Sequence, residues 1–181
     1  MTRRVWIACL SLLLGWSGAV HAATQPCGRP APVSWDTEAL HRCADQGIPI
    51  PLVLAVIQAE SGGHPYALRI NAGLGQSLYP RTHAEAVRIL QAITPLTSNI
   101  DIGLLQVNVG IWGARLQVTA TELLDPATNL TVGCRILRRT LATQGPAWQR
   151  LGRYHSGTPA RQRAYALRVT EWLEVLLRHM P

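Results

Sequence analysis

The sequence contains no lysine and no phenylalanine, and it is poor in acidic residues. Its 17 basic residues are all arginine and stand against only 10 Asp and Glu residues, which gives a formal net charge of +7. Hydrophobic residues make up 48% of the chain and charged residues 15%, a balance that predicts a folded core and argues against disorder. With 181 residues the chain has room for one compact domain, which excludes a large multidomain enzyme.

Residues 1–22 have the pattern of a cleavable export signal. Two arginines precede an apolar stretch over residues 5–16, and a small-x-small triplet follows at residues 20–22. The apolar stretch is too short for an anchor, and no other stretch approaches the roughly 20 apolar residues of a membrane span. We therefore expect residues 23–181 to be an exported single domain with a net charge of +5 and no stable membrane insertion.

Three cysteines remain after the signal: Cys27, Cys43 and Cys134. In an oxidising compartment this odd number allows one bridge and one free thiol, or a bridge to another chain. There is no Cys-x-x-Cys motif, and His41 beside Cys43 lacks the spacing of zinc ligands. We expect no metal, no cofactor and no catalytic thiol.

The mature segment is predicted to be mainly helical. Ser34, Thr82 and Asp125 are suited to capping helix N-termini, and Gly47 follows the end of the first predicted helix. A glycine-rich tip at residues 71–75 predicts a small β-hairpin. Five or six helices are expected, over residues 35–46, 52–60, 82–92, 126–141, 146–154 and 159–177.

Glu60 is placed at the end of the most apolar predicted helix. The negative end of the helix dipole disfavours a carboxylate there by about 0.3–1 kcal/mol, and burial acts in the same direction. Both effects favour the protonated acid, which is the form that a general acid for glycosidic cleavage needs. The alternative is a solvated glutamate at a frayed helix end.

Two further segments carry candidate ligand-binding side chains. After Gly103, which allows close backbone approach, the amides of Gln106 and Asn108 are suited to sugar hydroxyl and acetamido groups. Tyr154 and His155 end a short helix before a glycine turn. Turn structure for the amides and packing for the tyrosine are the alternatives.

In order along the chain, these segments resemble the motifs of the soluble lytic transglycosylase superfamily. The similar segments are residues 59–61, 101–108, 124–129 with Gly133 after them, and 154–157. The resemblance spans about residues 35–175 and is nearest to the small single-domain form associated with type IV secretion and conjugative elements.

The resemblance implies a lysozyme-like, mainly α (α+β) fold with a small β-hairpin beside the substrate cleft. It also implies cleavage of the β-1,4 bond between N-acetylmuramic acid and N-acetylglucosamine of peptidoglycan, leaving a 1,6-anhydro end. Glu60 would act as acid and then as base, without the second carboxylate that hydrolysis normally requires. Ser61, Gln106 and Asn108 would contact the sugars, and Tyr154 would orient Glu60 or the substrate.

The sequence departs from the family pattern at several positions. Leu105 stands where methionine is usual, and His155 stands where asparagine is common and would be a pH-sensitive donor at the substrate site. Ala127 occupies a place where small relatives often carry cysteine, while Cys134 lies seven residues further on. A Cys43–Cys134 bridge is favoured, with Cys27–Cys43 as the alternative. The stretch over residues 68–97 is longer than a minimal member needs.

Two other functions remain open. In a hydrolytic muramidase, Asp101 would position water opposite Glu60; in a non-catalytic wall-binding or assembly protein, the cleft would serve recruitment alone. Eight arginines between Arg135 and Arg168 fit an acidic wall polymer, and no nucleic-acid-binding motif is present. We expect a periplasmic monomer that acts on peptidoglycan strands and serves secretion or conjugation machinery.

Overall fold

The computed structural model describes residues 37–73 and 75–179. The export segment, Ser34 and Cys27 lie outside these residues, so the predictions made for them stay predictions. The described part contains seven α-helices, one short 3-10 helix and four short β-strands. The helices are α1 (Thr37–Asp45), α2 (Ile50–Ser61), α3 (His83–Ile93), α4 (Val109–Leu116), α5 (Pro126–Leu141), α6 (Ala147–Gly152) and α7 (Pro159–His179).

Helix α2 lies at the centre of the fold. Pro51 occupies its first turn, where a missing N–H costs nothing, and Gly62 ends it with a left-handed φ of 61°. Its apolar residues face more than one side, which predicts a helix surrounded by other elements. Val53, Val56 and Ile57 are accordingly fully buried, and the long helix α7 packs along α2 and α6.

The predicted capping signals of two other helices are confirmed. The Thr82 hydroxyl accepts a hydrogen bond from the Glu85 backbone N–H at the start of α3 (3.1 Å). The Asp125 carboxylate accepts one from the Thr128 N–H at the start of α5 (2.8 Å). These caps satisfy N–H groups that have no partner within their own helix.

The predicted hairpin is confirmed, and it is part of a larger sheet. Strands β1 (Leu68–Ile70) and β2 (Gln76–Leu78) pair antiparallel, and β1 also pairs with β3 (Ile100–Ile102). Strand β4 (Val107–Asn108) completes the antiparallel order β2-β1-β3-β4. The sequence did not predict β3 or β4, because the partner positions of β3 in β1 are 30 or more residues away and β4 has only two residues.

Helix α4 was also missed by the prediction of five or six helices. It has only eight residues, two of which are glycines with weak helix propensity. Asn108 caps it by accepting a hydrogen bond from the Ile111 N–H (3.0 Å). The 3-10 helix (Glu122–Leu124) precedes α5 and places Leu123 and Leu124 in the core.

A disulfide between Cys43 and Cys134 joins α1 to α5, with a Cα–Cα distance of 5.7 Å. Both cysteines are fully buried. The favoured pairing is therefore confirmed, and the alternative Cys27–Cys43 bridge is wrong because Cys43 is already bonded. None of the helices within residues 37–73 and 75–179 is long and apolar enough to cross a membrane.

Candidate active site

A cleft of about 700 Å³ opens beside the sheet. Its lining comes from the end of α2, from strands β1 to β4, from α4, from Ile136 of α5, from the segment after α6, and from α7. The hairpin β1–β2 thus lies beside the cleft, as predicted. Five of the six predicted site residues line the cleft: Glu60, Gln106, Asn108, Tyr154 and His155.

Glu60 reaches the cleft from the last turn of α2. Only 9% of its side chain is exposed. Its Oε1 atom is buried and has no hydrogen-bond partner among the described residues. The Nδ1 atom of His155 is 3.7 Å from this oxygen, outside ordinary hydrogen-bond distance. The cleft therefore contains a shielded carboxyl group, one oxygen of which is buried beside His155.

His155 is held beside Glu60 by stacking on Tyr165. The two rings are parallel, with an interplanar angle of 1° and 4.7 Å between their centroids. Tyr165 is a buried residue of α7 whose hydroxyl has no hydrogen-bond partner among the described residues. Burial first, and then the charge of Glu60, raise the pKa of Tyr165 well above its usual value, so its O–H stays protonated. Tyr165 was not predicted as a site residue, because its position in an amphipathic helix indicates only core packing.

The hydroxyl of Tyr154 is hydrogen-bonded to the backbone. Its hydroxyl donates a hydrogen bond to the carbonyl oxygen of Leu105 (2.7 Å). Burial, followed by the charges of Glu60 and Asp101, raises the pKa of Tyr154 well above its usual value. The tyrosine is therefore a lasting donor that fixes the backbone just before Gln106. Its predicted action on Glu60 or on a substrate stays a prediction.

The two predicted amides are anchored by their own donors. Gln106 has a left-handed φ of 46°, and its Nε2 atom donates to the carbonyl oxygens of Ala67 (3.0 Å) and Gly103 (2.8 Å). Asn108 Nδ2 donates to a carboxylate oxygen of Asp101 (2.7 Å) and to Asn99 Oδ1 (2.9 Å). Their orientation in the cleft is thus fixed by the protein, and contact with sugars stays a prediction.

Asp101 is the second carboxyl group of the cleft. Besides the bond from Asn108, its other oxygen accepts a hydrogen bond from Asn71 Nδ2 (2.8 Å). Burial raises the pKa of Asp101, the two amide hydrogen bonds oppose that shift, and the charge of Glu60 reinforces it. Both oxygens of Asp101 therefore accept hydrogen bonds from amides, whereas Oε1 of Glu60 has no hydrogen-bond partner among the described residues.

A comparison with family models places the chain in a known group. The model described as "Transglycosylase SLT domain" matches residues 40–171, most of the chain. The chain belongs to the SLT transglycosylase family. No curated protein and no solved structure gives a significant match. The family match, the mainly helical architecture and the small antiparallel sheet together confirm the lysozyme-like α+β fold and support lytic transglycosylase activity on peptidoglycan.

Asn129 holds together the SLT domain segment that carries Gln106. Its Nδ2 atom donates to the carbonyl oxygens of Ile102 (2.8 Å) and Leu123 (2.9 Å), and its Oδ1 atom accepts from the Leu105 N–H (2.9 Å). Asn129 is fully buried. A Cβ atom at Gly103 would lie 2.3 Å from Asn129 Nδ2, so this contact requires glycine. Only the unusual position of an asparagine in an apolar helix stripe signals this role in the sequence.

Ser61 is the predicted SLT site residue that the structure places away from the cleft. Its side chain is buried, and its hydroxyl donates to the Ile57 carbonyl oxygen within α2 (3.2 Å). Contact with a substrate stays a prediction and would require this hydroxyl to change its partner. No group of three His, Cys, Asp or Glu side chains suited to a metal ion occurs within the described residues.

Proposed function

We propose that this protein cleaves the β-1,4 bond between N-acetylmuramic acid and N-acetylglucosamine by intramolecular transglycosylation. The observation that carries the proposal is Glu60, a shielded carboxyl group with an unpartnered oxygen in the cleft of an SLT domain. A general acid must reach its target atom directly, and Glu60 lines the cleft with 9% of its side chain exposed.

In the proposed reaction, Glu60 first donates its proton to the glycosidic oxygen as the bond from that oxygen to C1 breaks. The acetamido group of the substrate stabilises C1 at this stage. The Glu60 carboxylate then takes the proton of the C6 hydroxyl while O6 bonds to C1. One glycosidic bond is replaced by another, and water is not consumed. His155 and the protonated hydroxyl of Tyr165 lie beside Glu60 and would stabilise its carboxylate between the two steps.

Hydrolysis is the competing proposal, because Asp101 also lines the cleft. An inverting hydrolase uses a second carboxyl group to position the attacking water, and a retaining hydrolase uses it to attack C1. Asp101 would have to do one or the other. Its two oxygens already accept hydrogen bonds from Asn71 and Asn108. We therefore favour a positioning role for Asp101 and assign the chemistry to Glu60 alone.

The deciding experiment is a digest of purified peptidoglycan followed by mass spectrometry of the soluble products. We expect 1,6-anhydromuramoyl ends from the wild type and a loss of at least about 100-fold in rate for Glu60→Gln. Circular dichroism should show that this variant keeps its fold. Reducing ends would establish the hydrolytic muramidase instead. Wall binding without any release of fragments, equal in wild type and variant, would establish the non-catalytic protein.

We also propose that the protein is exported to the periplasm as a monomer and opens the wall locally for a secretion or conjugation apparatus. The support is the signal-like pattern of residues 1–22 and the nearness of the motifs to the small single-domain form. Mass determination of the protein isolated from the periplasm tests the export step. A mature chain that begins near Ala23 is the expected result, and an intact Met1 would contradict it.

A further inference from the structure

Two arginines of α7 line the cleft without an acidic partner. Arg161 and Arg168 are both exposed, and neither forms an ion pair with a described Asp or Glu. They are seven residues apart, two helical turns, so they lie on the same side of α7 about 10 Å from one another. This side of the cleft therefore presents two guanidinium groups in a row.

The third arginine of the cleft is engaged differently. Arg69 donates hydrogen bonds to Asn71 Oδ1 and to Ser77 Oγ (both 3.2 Å), and its charge acts on Asp101. Other arginines outside the cleft also have partners within the protein, such as Arg42 with Glu38 (2.8 Å). Among the arginines that line the cleft, Arg161 and Arg168 are thus the two without a hydrogen bond or an ion pair to another described residue.

Side-chain contacts connect Arg168 with the catalytic carboxyl group. The Arg168 guanidinium lies 5.4 Å from the centre of the Tyr165 ring, on which His155 stacks, and His155 lies 3.7 Å from Glu60. Under the proposed function, the sugar whose C1 reacts near Glu60 is muramic acid. That sugar carries the stem peptide on its lactyl group, so the peptide must leave the cleft close to Glu60.

We infer that Arg161 and Arg168 form a subsite for the free carboxylates of the stem peptide, and this inference rests on the proposed function. Guanidinium groups pair with carboxylates through paired N–H donors. An extended peptide spans about 10 Å in three residues, which matches the separation of the two arginines. The subsite would make peptide-bearing glycan a better ligand than bare glycan.

The test measures binding of short glycan strands to the full chain carrying Glu60→Gln, which prevents turnover. Three forms of the strand are compared: with stem peptides, with peptides removed, and with peptide carboxylates amidated. We expect Arg161→Gln with Arg168→Gln to weaken binding of the peptide-bearing strand about three- to tenfold and to leave the other two unchanged. The difference should shrink as salt is raised from low to physiological concentration.

Arg163→Gln is the matched control. It lies on the same helix, but its guanidinium stacks over Trp148 (4.9 Å) and does not line this cleft. A glycerol phosphate polymer is measured as a fourth ligand. The inference is overturned if the double variant binds all three strands equally less tightly than the parent, or if its affinity falls only for the glycerol phosphate polymer. Because binding is measured without turnover, peptide-dependent binding would stand even if the digest showed no anhydro ends, so the two proposals fail separately.

Discussion

At the scale of single residues, the two carboxyl groups of the cleft differ in their hydrogen bonds to the rest of the protein. Asp101 accepts a hydrogen bond on each oxygen, from Asn71 and from Asn108. Glu60 has a buried oxygen with no partner among the described residues. Internal donors fix the Asp101 carboxyl group in place, whereas no such donor among the described residues holds the buried oxygen of Glu60. Under the proposed function, this difference distinguishes a positioning carboxyl group from a reacting one.

A pH-dependent stability follows from Asp101. Burial raises its pKa in the folded protein, so there is a pH range in which the folded protein keeps this proton and the unfolded chain has lost it. The free energy of unfolding contributed by this group must then fall as pH rises above about 4. We expect the stability of the wild type, relative to Asp101→Asn, to decrease over that rise, as measured by urea unfolding at several pH values.

Glu122 provides a control of opposite sign. Hydrogen bonds from the backbone N–H and then from the hydroxyl of Thr119 lower the pKa of Glu122. The free energy of unfolding that Glu122 contributes is fully present at pH values above the ordinary pKa of glutamate and is lost as pH falls. The wild type should therefore gain stability relative to Glu122→Gln as pH rises. Parallel slopes for the two variants would contradict the assignment for Asp101.

At the scale of elements, local capping chemistry was readable from the sequence and non-local pairing was not. Thr82 and Asp125 each satisfy an N–H group three residues on, and such signals lie within one helical turn. Strand β3 depends on β1, whose nearest residue in sequence is 30 positions away, and three residues have too little pattern to reveal it. The function of Asn108 as the cap of α4 was not predicted from the sequence, because recognising it requires knowing that α4 exists.

The same limit explains why Asn129 was overlooked. Its three hydrogen bonds connect α5 to the segments around β3, around Leu105 and at the 3-10 helix. None of these segments belongs to α5, so the helical spacing of residues around Asn129 gives no sign of them. The site residues were predicted because their side chains are chemically distinctive at those positions. Asn129, which holds the segment of Gln106 in place, has no such distinguishing feature.

Replacing Asn129 with alanine should destabilise the protein strongly. The change removes three buried hydrogen bonds, to the Leu105 N–H and to the carbonyl oxygens of Ile102 and Leu123, at a cost of about 3 kcal/mol or more in the free energy of unfolding. Urea unfolding measures the loss. Thr131→Ala on the same helix is the control, because its hydroxyl only returns to the Ala127 carbonyl oxygen (2.9 Å). A similar loss in both variants would show that the network around Asn129 contributes little.

At the scale of the whole molecule, the helical core was predictable because its apolar residues recur at helical spacing. Leu130, Cys134 and Leu137 of α5 illustrate this, since all three are fully buried. The cleft was not predictable in the same way, because its lining combines residues from eight separate stretches of the chain. The resemblance to the SLT superfamily, and not periodicity, indicated that these parts come together.

The disulfide should contribute substantially to stability. Cys43 and Cys134 are 91 residues apart, so the bridge removes much of the freedom of the unfolded chain. In the chain-entropy model this is equivalent to about 4–5 kcal/mol. We expect Cys43→Ala with Cys134→Ala to lower the free energy of unfolding by about that amount in urea. Cys27→Ala should have no effect, and a comparable loss there would show that Cys27 carries a bridge of its own.

The bridge also determines how the protein would respond to a protease. The turn after α3 is an accessible place for a cut, since Leu96 is 83% exposed. It lies between the two bonded cysteines, so a nick there leaves the two fragments covalently joined. Such a cleaved molecule migrates as one band in a non-reducing gel and as two after reduction, and intact mass alone would differ only by one added water.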